Sequence, residues 1–115
     1  MKDIVYYHNP RCAKSREGLK LLRENGVEPR VVEYLKLPLS PAELRSVLAK
    51  LNLSPLDIIR KKETLYREKL SQLTLNEEEW TQVLADNPIL MERPIGVKGN
   101  KAVVGRPPEE LLKLI

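Results

Sequence analysis

The fold is decided by residues 4–34, which read IVYYHNPRCAKSREGLKLLRENGVEPRVVEY. The apolar run at residues 4–7 predicts a short buried strand. A helix is predicted to begin near Cys12 and to stop at Gly26, because glycine adopts the left-handed conformation cheaply. Residues 31–34 predict a second strand. A strand, a helix and a strand within this length make one βαβ unit, whose right-handed crossover makes the two strands parallel.

The middle of the chain predicts helices. Ser40 opens a capping box that is followed by one apolar face, and Asn76 caps another helix rich in first-turn glutamates. Between them, Ser54 starts a shorter helix that is predicted to reach Arg60.

The end of the chain returns to strands. Residues 95–97 and 102–104 flank Gly99 and Asn100, a two-residue hairpin signal, and Pro107 opens a short terminal helix. The predicted fold class is therefore α/β: a thioredoxin-like βαβ–ββα mixed sheet with a helical insertion between its halves. We expect one domain of residues 1–115, with the insertion at about residues 40–88.

Length and composition agree with a small globular enzyme or binding protein. The 115 residues suffice for one modest core, and 42% apolar with 31% charged residues is ordinary for such a chain. The N-terminus has an acid at Asp3 and too short an apolar run for a signal peptide, and no run is long enough to span a membrane. We expect a cytoplasmic protein. Cys12 is the single cysteine, which excludes a disulfide within the chain.

The net charge of +4 is concentrated in two segments. Residues 8–16 and 93–106 hold seven of the 20 lysines and arginines and no acid, and the rest of the chain nets −3. Nucleic-acid binding favours longer basic helices or aromatics interleaved with cations, and neither is present. A small anionic ligand fits two compact basic segments better, with a solvated basic surface as the alternative.

Cys12 lies at a strand-to-helix turn among polar and cationic neighbours. A thiol at a helix N-terminus near cations is stabilised as the reactive thiolate, whereas a lone cysteine elsewhere is usually a small buried hydrophobe. Ser15 stands where C-x-x-C proteins carry their second cysteine, so a redox cycle needs an outside thiol. Ser15 is expected to donate a hydrogen bond to the sulfur or to a bound anion. His8 either supports the thiolate when protonated or caps the local backbone.

The hairpin brings two arginines face to face. A two-residue turn at Gly99 and Asn100 places Arg93 opposite Arg106 when the register is extended, and directly opposed like charges destabilise a sheet. The pair therefore needs acidic partners or forms a clamp for a tetrahedral oxyanion, unless both side chains turn to solvent. Pro94 stands where thioredoxin-like folds carry a cis-proline beside the active cysteine, which would bring Arg93 near Cys12. Arg60 fits, by itself, a cation that complements a helix C-terminus.

Taken together, the motifs resemble the glutaredoxin-coupled arsenate reductase family, and the resemblance covers essentially the whole chain. The matching stretches are Tyr7-His8-Asn9-Pro10-Arg11-Cys12, Ser15-Arg16, Glu33-Tyr34-Leu35, Ile59-Arg60-Lys61, Asn87-Pro88-Ile89-Leu90, Glu92-Arg93-Pro94-Ile95 and Gly105-Arg106-Pro107. Spx-type transcription regulators, which bind RNA polymerase, are distant relatives with the same fold.

The resemblance implies a set of roles. Cys12 matches the nucleophile, and three arginines match those around the arsenate oxygens: Arg60, Arg93 and Arg106. His8 and Ser15 match residues that support the thiolate. The implied reaction attaches arsenate to the thiolate, after which glutathione, as co-substrate, and glutaredoxin complete the reduction to arsenite. The resemblance implies no bound cofactor and no metal, and we expect a monomer without nucleic-acid or membrane partners.

Two departures from the established arsenate reductases define the open alternatives. Ala13-Lys14 follows the cysteine where Gly-Thr is common, and the chain stops at Ile115 without the C-terminal extension of many relatives. A general glutathione-linked thiol oxidoreductase would need Cys12 but not the arginines. A regulatory binding protein of the Spx type would need neither for catalysis, and the three matched arginines count against it.

Overall fold

The computed structural model describes residues 3–115. Met1 and Lys2, which belong to the N-terminus considered above for a signal peptide, lie outside the described residues. Within residues 3–115, no helix combines the length and the apolar character that crossing a bilayer requires.

The chain divides into two compact units. Residues up to Pro38 and Arg93–Ile115 form the first unit, and Leu39–Glu92 form the second. The bounds of the second unit are close to those of the helical insertion expected at about residues 40–88. The single domain of residues 1–115 stays a prediction.

The first unit contains a four-stranded mixed sheet with the strand order β2-β1-β3-β4. Its strands are β1 (Val5–His8), β2 (Arg30–Glu33), β3 (Ile95–Lys98) and β4 (Lys101–Val104). β1 and β2 run parallel, and β3 runs antiparallel to both β1 and β4. The predicted thioredoxin-like α/β plan is confirmed, with β1 shifted by one residue towards the C-terminus and β2 by one towards the N-terminus.

The helix α1 (Ala13–Glu24) follows β1 and buries one face. Its buried residues are Ser15, Gly18, Leu19 and Leu22, at the i, i+3, i+4 and i+7 positions of a single stripe. Leu19 and Leu22 join Ile4, Tyr6, Leu111 and Leu114 in the core of this unit. The last two belong to a terminal 3-10 helix (Pro108–Leu114). As predicted, the chain leaves α1 through Gly26, whose φ of +81° is in the left-handed region.

The hairpin of β3 and β4 has the predicted register. Lys98 pairs with Lys101 and Ile95 with Val104, so Gly99 and Asn100 form the two-residue turn. Beyond the strands the same register continues, since the Gly105 N–H donates to the carbonyl oxygen of Pro94 at 2.8 Å. The Arg93–Pro94 and Arg106–Pro107 peptide bonds are both cis.

The second unit is helical. Its longer helices are α2 (Pro41–Leu51) and α3 (Glu77–Asp86), and each begins with a complete capping box, as predicted. Ser40 accepts the Glu43 N–H at 3.1 Å, and Asn76 accepts the Glu79 N–H at 2.8 Å. The two helices pack together through apolar faces that include Leu44, Val47, Leu48, Trp80 and Leu84.

Two stretches of this unit differ from the sequence prediction. The helix expected from Ser54 to Arg60 is only a 3-10 turn (Pro55–Ile58), because Ile59 is extended and forms a β-bridge with Met91. A π-helical turn (Tyr66–Leu70) was not predicted, since no capping residue precedes it and none of its residues is buried.

Candidate functional site

Three segments of the first unit meet at one end of its sheet. The β1–β3 register pairs Tyr7 with Ile95, so its continuation places Arg93 opposite Asn9, just after β1. The hairpin register places Arg106 opposite Arg93, and the Nε of Arg106 donates to the carbonyl oxygen of Arg93 at 2.8 Å. The structure therefore brings both hairpin arginines to the turn that leads into α1.

Cys12 is the N-cap residue of α1 and is partly exposed. Its N–H donates to the Asn9 carbonyl at 3.0 Å, and its own carbonyl accepts the Arg16 N–H at 3.0 Å. Within the described residues no side chain caps this helix, and its first turn contains no acidic residue. The N–H groups and the positive end of the helix dipole are thus available to a thiolate or to an oxyanion beside it.

The basic residues around Cys12 do different things. Arg16 holds the turn, because its Nη1 donates to the Pro10 carbonyl at 2.9 Å. Lys14 lies 3.7 Å from the Glu17 carboxylate in an exposed pair, which contributes little stability. The turn itself is closed by Asn9, whose Oδ1 accepts the Arg11 N–H at 3.0 Å. Part of the local positive charge therefore shapes the loop instead of facing a ligand.

Ser15 lies beneath this loop and is fully buried. Its Oγ accepts the Asn9 N–H at 3.0 Å and lies 2.7 Å from Nδ1 of His8. We expected the Ser15 hydroxyl to donate to the Cys12 sulfur or to an anion. In the structure His8 and Asn9 occupy it instead, so any support it gives the thiolate passes through the loop backbone.

His8 is buried, with 7% of its surface exposed. Burial lowers the pKa of its imidazole, with Arg23 and Arg16 acting in the same direction and Glu33 opposing them. The neutral ring is therefore favoured at neutral pH. Ser15 Oγ accepts the Asn9 N–H and shares a hydrogen bond with Nδ1 of His8, whose direction depends on the imidazole tautomer. The structure thus favours a hydrogen-bonding role for His8 over that of a permanent cation.

Arg93 is half-buried at the entrance to β3, and Arg106 is exposed at the end of β4. The Nε of Arg93 is buried and has no hydrogen-bond partner within residues 3–115. A buried guanidinium N–H without an acceptor is costly unless a ligand or neighbouring negative charge compensates. Arg93 is thus partly inside the fold whereas Arg106 faces solvent, and the anion clamp stays a prediction.

Arg60 belongs to the second unit. Its N–H donates to the Leu90 carbonyl at 2.7 Å, next to the bridge of Ile59 and Met91. Its Nη1 lies 2.7 Å from a carboxylate oxygen of Glu63, and both side chains are about three-quarters buried. The structure places Arg60 in a defined ion pair inside its own unit, and its presence at the Cys12 site stays a prediction.

Sequence reasoning missed two residues that the geometry makes prominent. Glu63 has a local signal, since the i, i+3 spacing from Arg60 favours an ion pair. Tyr6 has a weaker one: a tyrosine in an apolar buried strand needs a partner for its hydroxyl. In the structure that hydroxyl donates to the Ser15 carbonyl at 2.7 Å.

Residues 3–115 contain no group of three or more histidine, cysteine or carboxylate side chains placed to hold a metal ion. The sheet end carries one thiol, a helix N-terminus and two guanidinium groups.

Because His8 is buried and its neutral form is favoured, we expect the free energy of unfolding to depend on pH. A folded-state pKa below the ordinary value of about 6.5 means that the unfolded chain binds more protons, so stability falls as pH drops below that value. We expect wild type to lose more stability between about pH 7 and about pH 5 than His8→Asn, which keeps a hydrogen-bonding atom but does not titrate. Urea denaturation at both pH values measures this, and equal losses in the two proteins would contradict it.

Comparisons with known proteins agree with this geometry. The ArsC family model matches residues 7–114. The chain is 52% identical to the Escherichia coli K12 protein YfgD, itself uncharacterized, over 99% of this chain and 98% of that protein. It is 39% identical to the arsenate reductase of Haemophilus influenzae, over 98% of this chain and 99% of the relative.

A solved structure extends the likeness to three dimensions. The arsenate reductase from Vibrio cholerae superposes with a TM-score of 0.93 at 40% identity, covering 99% of this chain and 98% of that chain. Profile, relatives and fold thus all span the segments that carry Cys12 and the hairpin arginines, and the chain belongs to the ArsC family.

Proposed function

We propose that this protein is an oxidoreductase that reduces arsenate to arsenite, with Cys12 as the nucleophile. The observation that carries the proposal is the position of Cys12 as the N-cap of α1, at the same end of the sheet as Arg93 and Arg106. Relatives named arsenate reductase, similar over nearly their full length, support the same substrate.

The two hairpin arginines suit an oxyanion. Arsenate is anionic at neutral pH, and guanidinium groups bind tetrahedral oxyanions through paired N–H donors. Arg106 is anchored through its Nε to the backbone oxygen of Arg93, which holds its guanidinium group at the same end of the sheet as Arg93. We include Arg60 as a third anion ligand on the basis of the family resemblance; within its own unit its Nη1 lies 2.7 Å from a carboxylate oxygen of Glu63.

The chemical step follows from one thiol and an outside reductant. The Cys12 thiolate attacks arsenic, an S–As bond forms and one arsenate oxygen leaves as water. The glutathione thiolate then attacks the Cys12 sulfur and the S–As bond breaks. The electron pair of that bond stays on arsenic, which passes from As(V) to As(III) and leaves as arsenite. Two thiols become one disulfide in that exchange, and glutaredoxin reduces this disulfide.

The single cysteine supports the dependence on external thiols. Ser15 stands at the position of a resolving cysteine but is a buried serine that cannot form a disulfide. The remaining thiols of the cycle therefore come from outside the chain, and we propose that glutathione and glutaredoxin supply them. We place the protein in the cytoplasm, where these thiols are kept reduced, and we propose that it acts as a monomer without a bound cofactor.

One observation favours a second function. A C-x-x-S sequence at a helix N-terminus beside a cis-proline also suits a monothiol oxidoreductase that acts on glutathionylated proteins. That reaction needs Cys12 but no oxyanion clamp, so arginine variants separate the two functions.

Replacing Cys12 tests the nucleophile. With glutathione and glutaredoxin supplied, we expect wild type to release arsenite, and Cys12→Ser to lose about a hundredfold or more of the rate because a serine hydroxyl is a much weaker nucleophile. Arsenite release is measured directly. An inactive wild type would contradict the proposal, and so would undiminished activity in Cys12→Ser.

Replacing the hairpin arginines tests the substrate. We expect Arg93→Ala and Arg106→Ala each to lower kcat/KM for arsenate by about a hundredfold, since each removes charge-assisted hydrogen bonds to the anion. If the protein is instead a general thiol oxidoreductase, both variants should still reduce a glutathionylated peptide. Lys101→Ala is the matched control, because it removes an exposed cation from the same hairpin. If Lys101→Ala is as damaging as the arginine variants, or if the arginine variants keep full activity on arsenate, the anion clamp is wrong.

A further inference from the structure

We infer that Tyr6 is a positioning residue for the Cys12 site. Gly18 contributes because it has no side chain and so leaves room for the Tyr6 hydroxyl. This buried hydroxyl fixes the first turn of α1 through Ser15, and so fixes the loop that presents Cys12. The inference deepens the proposed function and rests on it for the part that concerns arsenate.

Tyr6 lies in the middle of β1, with Val31 of β2 on one side and Gly96 of β3 on the other. It is fully buried, and its hydroxyl donates to the Ser15 carbonyl oxygen at 2.7 Å. A buried hydroxyl must find a partner, and this one finds it on the helix that Cys12 caps. The bond therefore ties the central strand directly to the N-terminal turn of α1.

Gly18 makes this bond possible. A Cβ at Gly18 would overlap the Tyr6 hydroxyl and would lie 2.7 Å from Cδ1 of Leu111. Glycine in the middle of a helix is intrinsically unfavourable, so its presence here requires a packing reason. That reason is close packing by the Tyr6 hydroxyl and Cδ1 of Leu111, which together occupy the space that a side chain at position 18 would fill.

Ser15 is thereby held from two sides. Tyr6 holds its carbonyl, while His8 and Asn9 hold its hydroxyl at 2.7 Å and 3.0 Å. The Tyr6 and His8 rings lie on the same face of β1, with centroids 5.7 Å apart. Asn9 in turn accepts the Cys12 N–H at 3.0 Å. A continuous set of hydrogen bonds thus runs from the core of the sheet to the backbone of the nucleophile.

The hydroxyl stays a donor at any working pH. Burial raises the pKa of Tyr6, and the charge of the Cys12 thiolate acts in the same direction while the contact with Ser15 opposes it. Loss of the hydroxyl should change both the orientation of the first-turn N–H groups and the surroundings of the sulfur.

Tyr6→Phe tests the inference, because it removes only the hydroxyl. The first readout needs no arsenate: the rate at which iodoacetamide alkylates Cys12 is measured as a function of pH. We expect the midpoint of this profile to shift in Tyr6→Phe and to stay in place in Tyr66→Phe, a matched change in the second unit. The second readout is arsenate reduction, in which kcat should fall about tenfold in Tyr6→Phe with KM nearly unchanged, since the arginines remain.

The variant Gly18→Ala gives an independent test of the contact between Gly18 and Tyr6. Its added methyl group meets the Tyr6 hydroxyl, so we expect the double variant Tyr6→Phe/Gly18→Ala to have a higher Tm than the sum of the single changes predicts. A Tyr6→Phe protein with a lowered Tm but an unshifted alkylation profile would overturn the positioning role, leaving the hydroxyl only structural. Because the alkylation profile does not depend on arsenate, failure of this inference is distinguishable from failure of the proposed function.

Discussion

Three hydrogen bonds converge on Ser15, and the loop that carries Cys12 depends on them. Two fasten its hydroxyl to His8 and Asn9 at the end of β1, and the third fastens its carbonyl to Tyr6 inside that strand. Buried hydrogen bonds of this kind are costly to break, because each partner would be left unsatisfied away from water. They give the N-terminus of α1 a fixed position relative to the sheet, so that Cys12 is presented by a rigid element.

The second constraint is the positive charge gathered at the same end of the sheet. The hairpin register brings Arg93 and Arg106 together, although opposed like charges destabilise a sheet. The Nε of Arg106 donates a hydrogen bond to the backbone carbonyl oxygen of Arg93. The buried Nε of Arg93 lacks an acceptor within residues 3–115. In the proposed function, this arrangement places guanidinium donors at the sheet end before an oxyanion binds, which lowers the cost of ordering them on binding.

Much of the fold could be predicted from the sequence, because the sequence patterns that indicate it involve residues close together in the chain. The βαβ unit, the capping boxes at Ser40 and Asn76 and the hairpin register all depend on residues within a few positions of one another. The helix after Ser54 was predicted too long because a distant residue, Met91, pairs with Ile59. At the site, the reactive role of Cys12 could be predicted from its position in a strand-to-helix turn. The hydrogen bonds to Ser15 join different elements, so no local sequence pattern predicts them. The role of Arg60 came only from family resemblance.

The central claim is that the sheet end binds an oxyanion beside the Cys12 sulfur. Its most direct test is the rate of Cys12 alkylation by iodoacetamide as the arsenate concentration is raised, without any reductant present. We expect arsenate to slow alkylation of wild type in a saturable way. In Arg93→Ala and Arg106→Ala, much higher arsenate concentrations should be needed for the same effect. An alkylation rate that arsenate does not change in wild type, or that it changes equally in the arginine variants, would contradict the account.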